Sequence, residues 1–224
     1  MYTEYDGFSV KKIVNGGLQN NSYIVKCGNK CVIIDPASKI VKAQVEEEGL
    51  EVMAVLLTHG HFDHIKGVAP FMQENVPVYI HKLDNPKCTG EIMLDWLKRF
   101  RIEPFSCDNF IEDGDVLQFD GLEIKVIHTP GHSSGGVSFV VKNVVFSGDT
   151  LFLDSYGRYD FEDSSFEALK NSIKVKLFGL PGDYVVLPGH GDSTTMQYER
   201  ERNMILWSWK LLQTASFFPI LWMW

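Results

Sequence analysis

MAVLLTHGHFDHIKG (residues 53–67) opens with a short apolar run and ends with three histidines and an aspartate in close succession. The run is of the kind that forms a buried strand. His59, His61, Asp63 and His64 therefore emerge where that strand ends, the place where layered α/β proteins carry their sites. A lone histidine is usually a satisfied core or surface residue. Four metal-grade side chains on one loop call for another reason.

Three further loops repeat the arrangement: HTPGHSSGG at 128–136, FSGDTLF at 146–152 and LPGHGDS at 187–193. Each follows an apolar strand and uses glycine where the chain must turn. Of the seven histidines, five (His59, His61, His64, His132 and His190) lie in these four loops. Core packing does not produce that concentration. Imidazole nitrogen suits zinc and neighbouring first-row metals, and carboxylates offset the charge of a second cation. With Asp63 and Asp149 the set has seven donors, too many for one tetrahedral ion and suited to two ions sharing one aspartate. Two divalent ions with two carboxylates and a bridging hydroxide keep a residual positive charge. Such a site favours hydroxide at neutral pH and a developing oxyanion, which points to hydrolysis.

The remaining pattern is strands then helices, twice over, in halves of similar size. FSVKKIV, SYIVKC and CVIID read as strands with turns at NGG and GNK. SKIVKAQVEEEG reads as a helix, EVMAVLLT and VPVYI as further strands, and residues 88–100 as an amphipathic helix. After 116, VLQF, LEIKVIHT, GVSFVVK and NVVFSGD return to strands. A helix over 163–178 opens on DSS, which offers N-caps; YVVLPGH is the last strand, and a final helix starts near Thr194. Two packed sheets with helices outside satisfy both halves and bring the strand-end loops to one edge.

The chain has 224 residues, enough for one sizeable domain, with 45% hydrophobic and 22% charged residues. A net charge of −8 argues against nucleic acid as a partner. MYTEYDGFSVKK lacks the apolar core of a signal peptide. Cys27 and Cys31 flank a turn and are placed to face each other across a hairpin, but the four cysteines are expected to be reduced and the protein cytoplasmic.

The ordered set His59-x-His61-x-Asp63-His64, His132, Asp149 and His190 resembles the metallo-β-lactamase-fold hydrolases over roughly residues 8–203. Within them, HTPGHSSGGVSF and FSGDTLF resemble the short branch of glyoxalase II, the hydroxyacylglutathione hydrolases. The resemblance implies an α/β fold in four layers, the αββα sandwich, over a domain of residues 1–203. It implies that His59, His61 and His132 hold one metal, that Asp63, His64 and His190 hold a second, and that Asp149 bridges them. Zinc is the expected metal, and iron and manganese also occur in the family. The bridging hydroxide would attack a small-molecule thioester (the EC 3.1.2 class), with Asp63 helping to orient it. The same scaffold serves lactonases and other ester hydrolases. It also serves persulfide dioxygenases, which use one iron on His59, His132 and Asp149.

Around the ligands, Asp35 is read as holding a ligand histidine's ring N–H or as a helix cap. Asn21 is read as part of the first hairpin or as an exposed turn residue. His128 is taken as a core or supporting histidine, and His81 receives no role. In DSYGRYD, Arg158 matches the family arginine, and Tyr156 with Asp154 and Tyr159 alters the pocket mouth or forms surface structure around an Arg–Asp pair. Only about 30 residues follow His190, too few for the helical domain that supplies much of glyoxalase II's glutathione grip. Residues 204–224 carry 15 apolar side chains, one lysine and no acid. Lys210, Gln213 and Pro219 interrupt them, so the segment is expected to pack on the core or in a homo-oligomer contact rather than span a membrane.

Overall fold

The computed structural model describes residues 1–207. Its first half builds a seven-stranded sheet from β1 (Thr3–Tyr5), β2 (Phe8–Asn15), β3 (Asn20–Cys27), β4 (Lys30–Ile34), β5 (Glu51–Leu56), β6 (Val78–His81) and β7 (Asn109–Ile111), in that spatial order. The first four strands run antiparallel, whereas β4 to β7 are mutually parallel and need crossovers. The second half forms a six-stranded sheet from β8 (Val116–Phe119), β9 (Leu122–His128), β10 (Val137–Val141), β11 (Val144–Gly148), β14 (Val185–Pro188) and β15 (Thr194–Thr195). A small ribbon of β12 (Leu151–Phe152) and β13 (Ser155–Tyr156) stands apart from both.

Side-chain alternation decides the layers. In β9, Leu122, Ile124 and Val126 are buried while Glu123 and Lys125 are exposed, the period-two pattern of a strand with one wet face. In β4, Val32 and Ile34 join the core between the sheets, whereas Cys31 and Ile33 join a second core beneath helices. Strands buried on both faces read as continuous apolar runs, as CVII (31–34) and AVLL (54–57) do. The central core includes Tyr23, Val32, Leu56, Ile124, Phe139 and Phe146. Helix α1 (Lys39–Glu47) packs Val41 and Val45 on the outer face of the first sheet. Ser38 starts it by accepting a bond from the Ile40 N–H. Helix α6 (Phe166–Asn171), capped by Ser165, covers the second sheet through Leu169. Its continuation over Ser172–Leu177 has π-helical turns. Helices outside two face-to-face sheets make the αββα sandwich read from the sequence.

Several local readings differ. The expected helix over 88–100 is two short ones, α4 (Asn85–Thr89) and α5 (Leu94–Phe100), because Gly90 and Met93 both take left-handed backbone between them. Cys27 and Cys31 do not face each other: the register sets Cys27 opposite Lys30 and Cys31 opposite Lys26, and all four cysteines are free. Helix α7 (Met196–Arg202) starts where the final helix was expected. Of the segment 204–224, Met204–Leu206 form a 3-10 turn with Ile205 buried; the expected tail packing and homo-oligomer contact otherwise lie outside the described residues. Among the described residues, no helix is long and apolar enough to cross a membrane.

Candidate metal centre

Strand ends from both sheets converge on one edge. From the first sheet, β5 delivers the loop with His59 and His61, and the short helix α2 (Phe62–Ile65) carries Asp63 and His64. From the second, β9 leads to His132, β11 to Asp149 and β14 to His190. Donor atoms lie within 4.8 Å of one another in three groups: Asp35–His59–His64 and the two expected from the sequence, His59–His61–His132 and Asp63–His64–His190. Asp149 stands between the two expected groups. Its Oδ2 is 3.4 Å from both His132 Nε2 and His190 Nε2, and its Oδ1 is 3.4 Å from His64 Nε2.

The far ring nitrogens are fixed from behind. His132 Nδ1 bonds the Arg158 carbonyl at 2.8 Å and His190 Nδ1 the Leu18 carbonyl at 2.9 Å, so each donates there and turns Nε2 inward. His64 Nδ1 lies 2.9 Å from Asp35 Oδ2. Asp35 also accepts the Thr58 N–H at 2.7 Å and the Thr58 hydroxyl at 2.5 Å. It does this from a left-handed backbone, φ +49°, a conformation that costs a non-glycine residue roughly 1–3 kcal/mol. Asp35 is thus a positioning group for His64, and Ser38, not Asp35, caps α1.

Burial and charge set the protonation states. Burial holds His59, His61 and His132 below the usual imidazole value, with neighbouring histidines adding to the effect at His59 and His61. These rings stay neutral, with a lone pair to give. At His64 burial pulls the same way, but Asp149 and Asp35 outweigh it and hold the ring well above that value. Burial pushes Asp149 up, yet His190 and His64 hold it far below the carboxylate range. Three buried donor atoms at the centre, His59 Nε2, His64 Nε2 and Asp149 Oδ1, have no hydrogen-bond partner, and His61 turns Nδ1 toward them, 2.8 Å from His132 Nε2. Buried polar atoms are normally paired. A cluster of orphaned imidazole and carboxylate donors facing one another is what a bound cation satisfies, and the donor set fits divalent metals.

Supporting residues come from both halves. Asn20 Nδ2 donates to Asp63 Oδ2 at 2.9 Å. Asn21 is buried on β3, not in an exposed turn, and its amide reaches the Pro188 and Gly191 carbonyls at 2.9 Å. The Phe161 ring lies 4.7 Å from the His61 ring. Arg158 forms a two-fold bond to Asp160 and lies over Phe161, with its side chain exposed. Tyr156 packs with Tyr159 and Phe166 on the helix side of the second sheet. His128 stacks on His81, centroids 4.3 Å apart, away from both donor groups. Asn20, Thr58 and Phe161 were not singled out in the sequence. Their only signals were a doubled asparagine and a hydroxyl directly before the first histidine.

The chain belongs to the metallo-beta-lactamase superfamily, whose family model matches residues 15–190. It is a metal-dependent hydrolase of that superfamily with a histidine-rich metal site. It is 35% identical over 198 residues to the hydroxyacylglutathione hydrolase GloC of Haemophilus influenzae, covering 84% of this chain and 92% of that one. Among solved structures it is similar to the BLEG-1 B3 metallo-beta-lactamase (33% identity, TM-score 0.76, 88% of this chain and 99% of that one). It is similar also to TTHA1623 in a di-iron-bound form (37% identity, TM-score 0.74, 86% and 98%).

Proposed function

We propose that the protein is a two-metal thioester hydrolase of the hydroxyacylglutathione hydrolase type, acting on a small acylated thiol. The observation that carries the reading is the orphaned donor cluster: His59 Nε2, His64 Nε2 and Asp149 Oδ1 are buried without partners, and His61 Nδ1 lies 2.8 Å from His132 Nε2, with Asp149 between the groups. His59, His61 and His132 would hold one ion; Asp63, His64 and His190 a second; Asp149 both. The ions would be divalent, with zinc the first choice on the donor set; the di-iron form of TTHA1623 keeps iron in view. Bound there, they would supply a nucleophilic water at neutral pH and Lewis-acid support for the oxyanion. The name of GloC, a hydroxyacylglutathione hydrolase, supports a thioester as the bond cleaved.

The residues themselves do the positioning. Neutral His59, His61 and His132 present lone pairs without paying for deprotonation. Asp35 and the Leu18 and Arg158 carbonyls hold His64, His190 and His132 in one ring orientation. Asp63, oriented by Asn20, adds a carboxylate beside Asp149 that can align a water for attack. A leaving thiolate needs little protonation, so no separate general acid is required.

The test is metal content per chain in protein purified without chelators, followed by hydrolysis of S-lactoylglutathione. About two ions per chain with turnover support the reading, and Asp149→Ala is expected to lose metal and at least about 100-fold in rate together. Turnover by metal-free protein would sink it. One iron per chain with oxygen uptake on a persulfide would replace it with sulfur oxidation.

A further inference from the structure

A charged cluster lies against the three-histidine group, outside the donors themselves. Asp84 precedes α4 and Lys87 lies within it, and both side chains are fully buried. Lys87 Nζ donates to Asp84 Oδ1 at 2.9 Å and to Asp163 Oδ2 at 2.5 Å. Both carboxylates grip backbone N–H groups of the metal loops. Asp84 Oδ2 accepts from Gly60, between His59 and His61, at 2.8 Å, and Asp84 Oδ1 accepts from Gly135 at 2.8 Å. Asp163 Oδ2 accepts from Ser134 at 3.0 Å, so it reaches the loop that carries His132.

The loops are shaped for this contact. A Cβ on Gly60 would lie 2.6 Å from the Asp84 carbonyl oxygen, and one on Gly135 would lie 2.7 Å from Asp84 Oδ1. Only glycine lets the carboxylate approach both chains so closely. Stability alone does not explain an ammonium here. A buried ion pair is costly to desolvate, and apolar side chains of similar volume commonly serve the fold as well. What an apolar side chain cannot do is donate to two carboxylates at once and hold them against the N–H groups of two separate loops.

We propose that Lys87 is a positioning residue for the three-histidine metal site. Through Asp84 and Asp163 it ties the Gly60 loop to the Ser134–Gly135 loop and so fixes His59 and His61 against His132. Asp63, His64 and His190 receive no bond from this cluster. The inference rests on the two-metal reading and predicts an asymmetric effect.

The experiment titrates metal-free protein with zinc(II) in competition with a chromophoric chelator, wild type beside Lys87→Met, with thermal melts of both metal-free proteins. Wild type should take up two ions. In K87M one class of site is expected to weaken about 10–100-fold, the range for lost outer-sphere partners, while the other shifts less than about 3-fold. Cobalt(II) spectra should place the loss at the site with three histidine ligands. If K87M does not fold, Asp163→Asn, which removes one partner of Lys87 at its more exposed end, should show a smaller loss in the same class. Equal weakening of both classes, in step with a lowered melting temperature, would show a structural role only and overturn the inference. So would unchanged affinity at both. A wild-type chain that binds no more than one ion overturns the two-metal reading itself, a result separable from either.

Discussion

Asp35 concentrates several demands on one carboxylate. Oδ1 accepts a backbone N–H while Oδ2 accepts a hydroxyl and meets His64, all from a left-handed backbone. In Asp35→Asn, an amide NH2 at the Oδ2 position would oppose two donors. We expect metal uptake to weaken about 10–100-fold with the far-ultraviolet circular dichroism retained, measured as zinc remaining after dialysis against a graded chelator. Full retention of both ions would show that His64 needs no such partner. At this scale the sequence displayed the seven clustered donors, since histidine and aspartate crowded at strand ends are rare. It did not display the groups behind them. Leu18 and Arg158 contribute carbonyl oxygens, which carry no residue signature, and Asp84 and Lys87 sit in HKLDNPK, a stretch that looks like a solvated turn.

The elements follow from alternation where strands are long. Phe139 lies mid-strand in β10 with its ring wholly within the core between the sheets. Phe139→Ala is expected to cost about 3–5 kcal/mol and to lower the melting temperature by roughly 10 °C in a chain of this size. Turnover per folded molecule should stay within about 2-fold, because the ring packs on the core rather than against the donors. A melting temperature within about 2 °C of wild type would contradict the packing. Patterning identified the long strands and helix α1 but missed β1, β7, β12, β13 and β15, which have two or three residues each and no room for a period. It fused α4 and α5 because Cys88, Ile92, Trp96 and Phe100 keep a four-residue spacing across a backbone that reverses hand at Gly90 and Met93.

The molecule as a whole carries carboxylates and a buried ammonium whose pairings exist only when it is folded. Burial raises Asp163 and Asp113, but Lys87 and Ser134 at the first, and His128 with Lys176 at the second, bring both below the carboxylate range. A folded value below the unfolded one gives stability that is present above the unfolded value and lost as pH falls through the folded one. Lys87 runs the other way. Burial lowers it, yet Asp84 and Asp163 raise it above the usual ammonium value, so its contribution is full below that value and fades as pH climbs past the folded one. Through these pairings urea midpoints are expected to fall as pH drops below about 4 and again as it climbs past about 10. A midpoint that climbs below about pH 4 would contradict these pairings. The two-sheet architecture was legible as a whole, because each half repeats strands then helices. How the halves join was not. Asn20 pairs with His190 across the gap, the Asn21 N–H reaches the Gly189 carbonyl, and the Tyr23 hydroxyl reaches the Pro188 carbonyl. With donors drawn from both sheets, each of the two expected donor groups is a rivet through two plates. A chain with only one plate formed has no complete hole for the rivet. On the proposed ligand set, metal would recognise the finished sandwich and not its halves, and withdrawing it is expected to loosen the seam before either sheet.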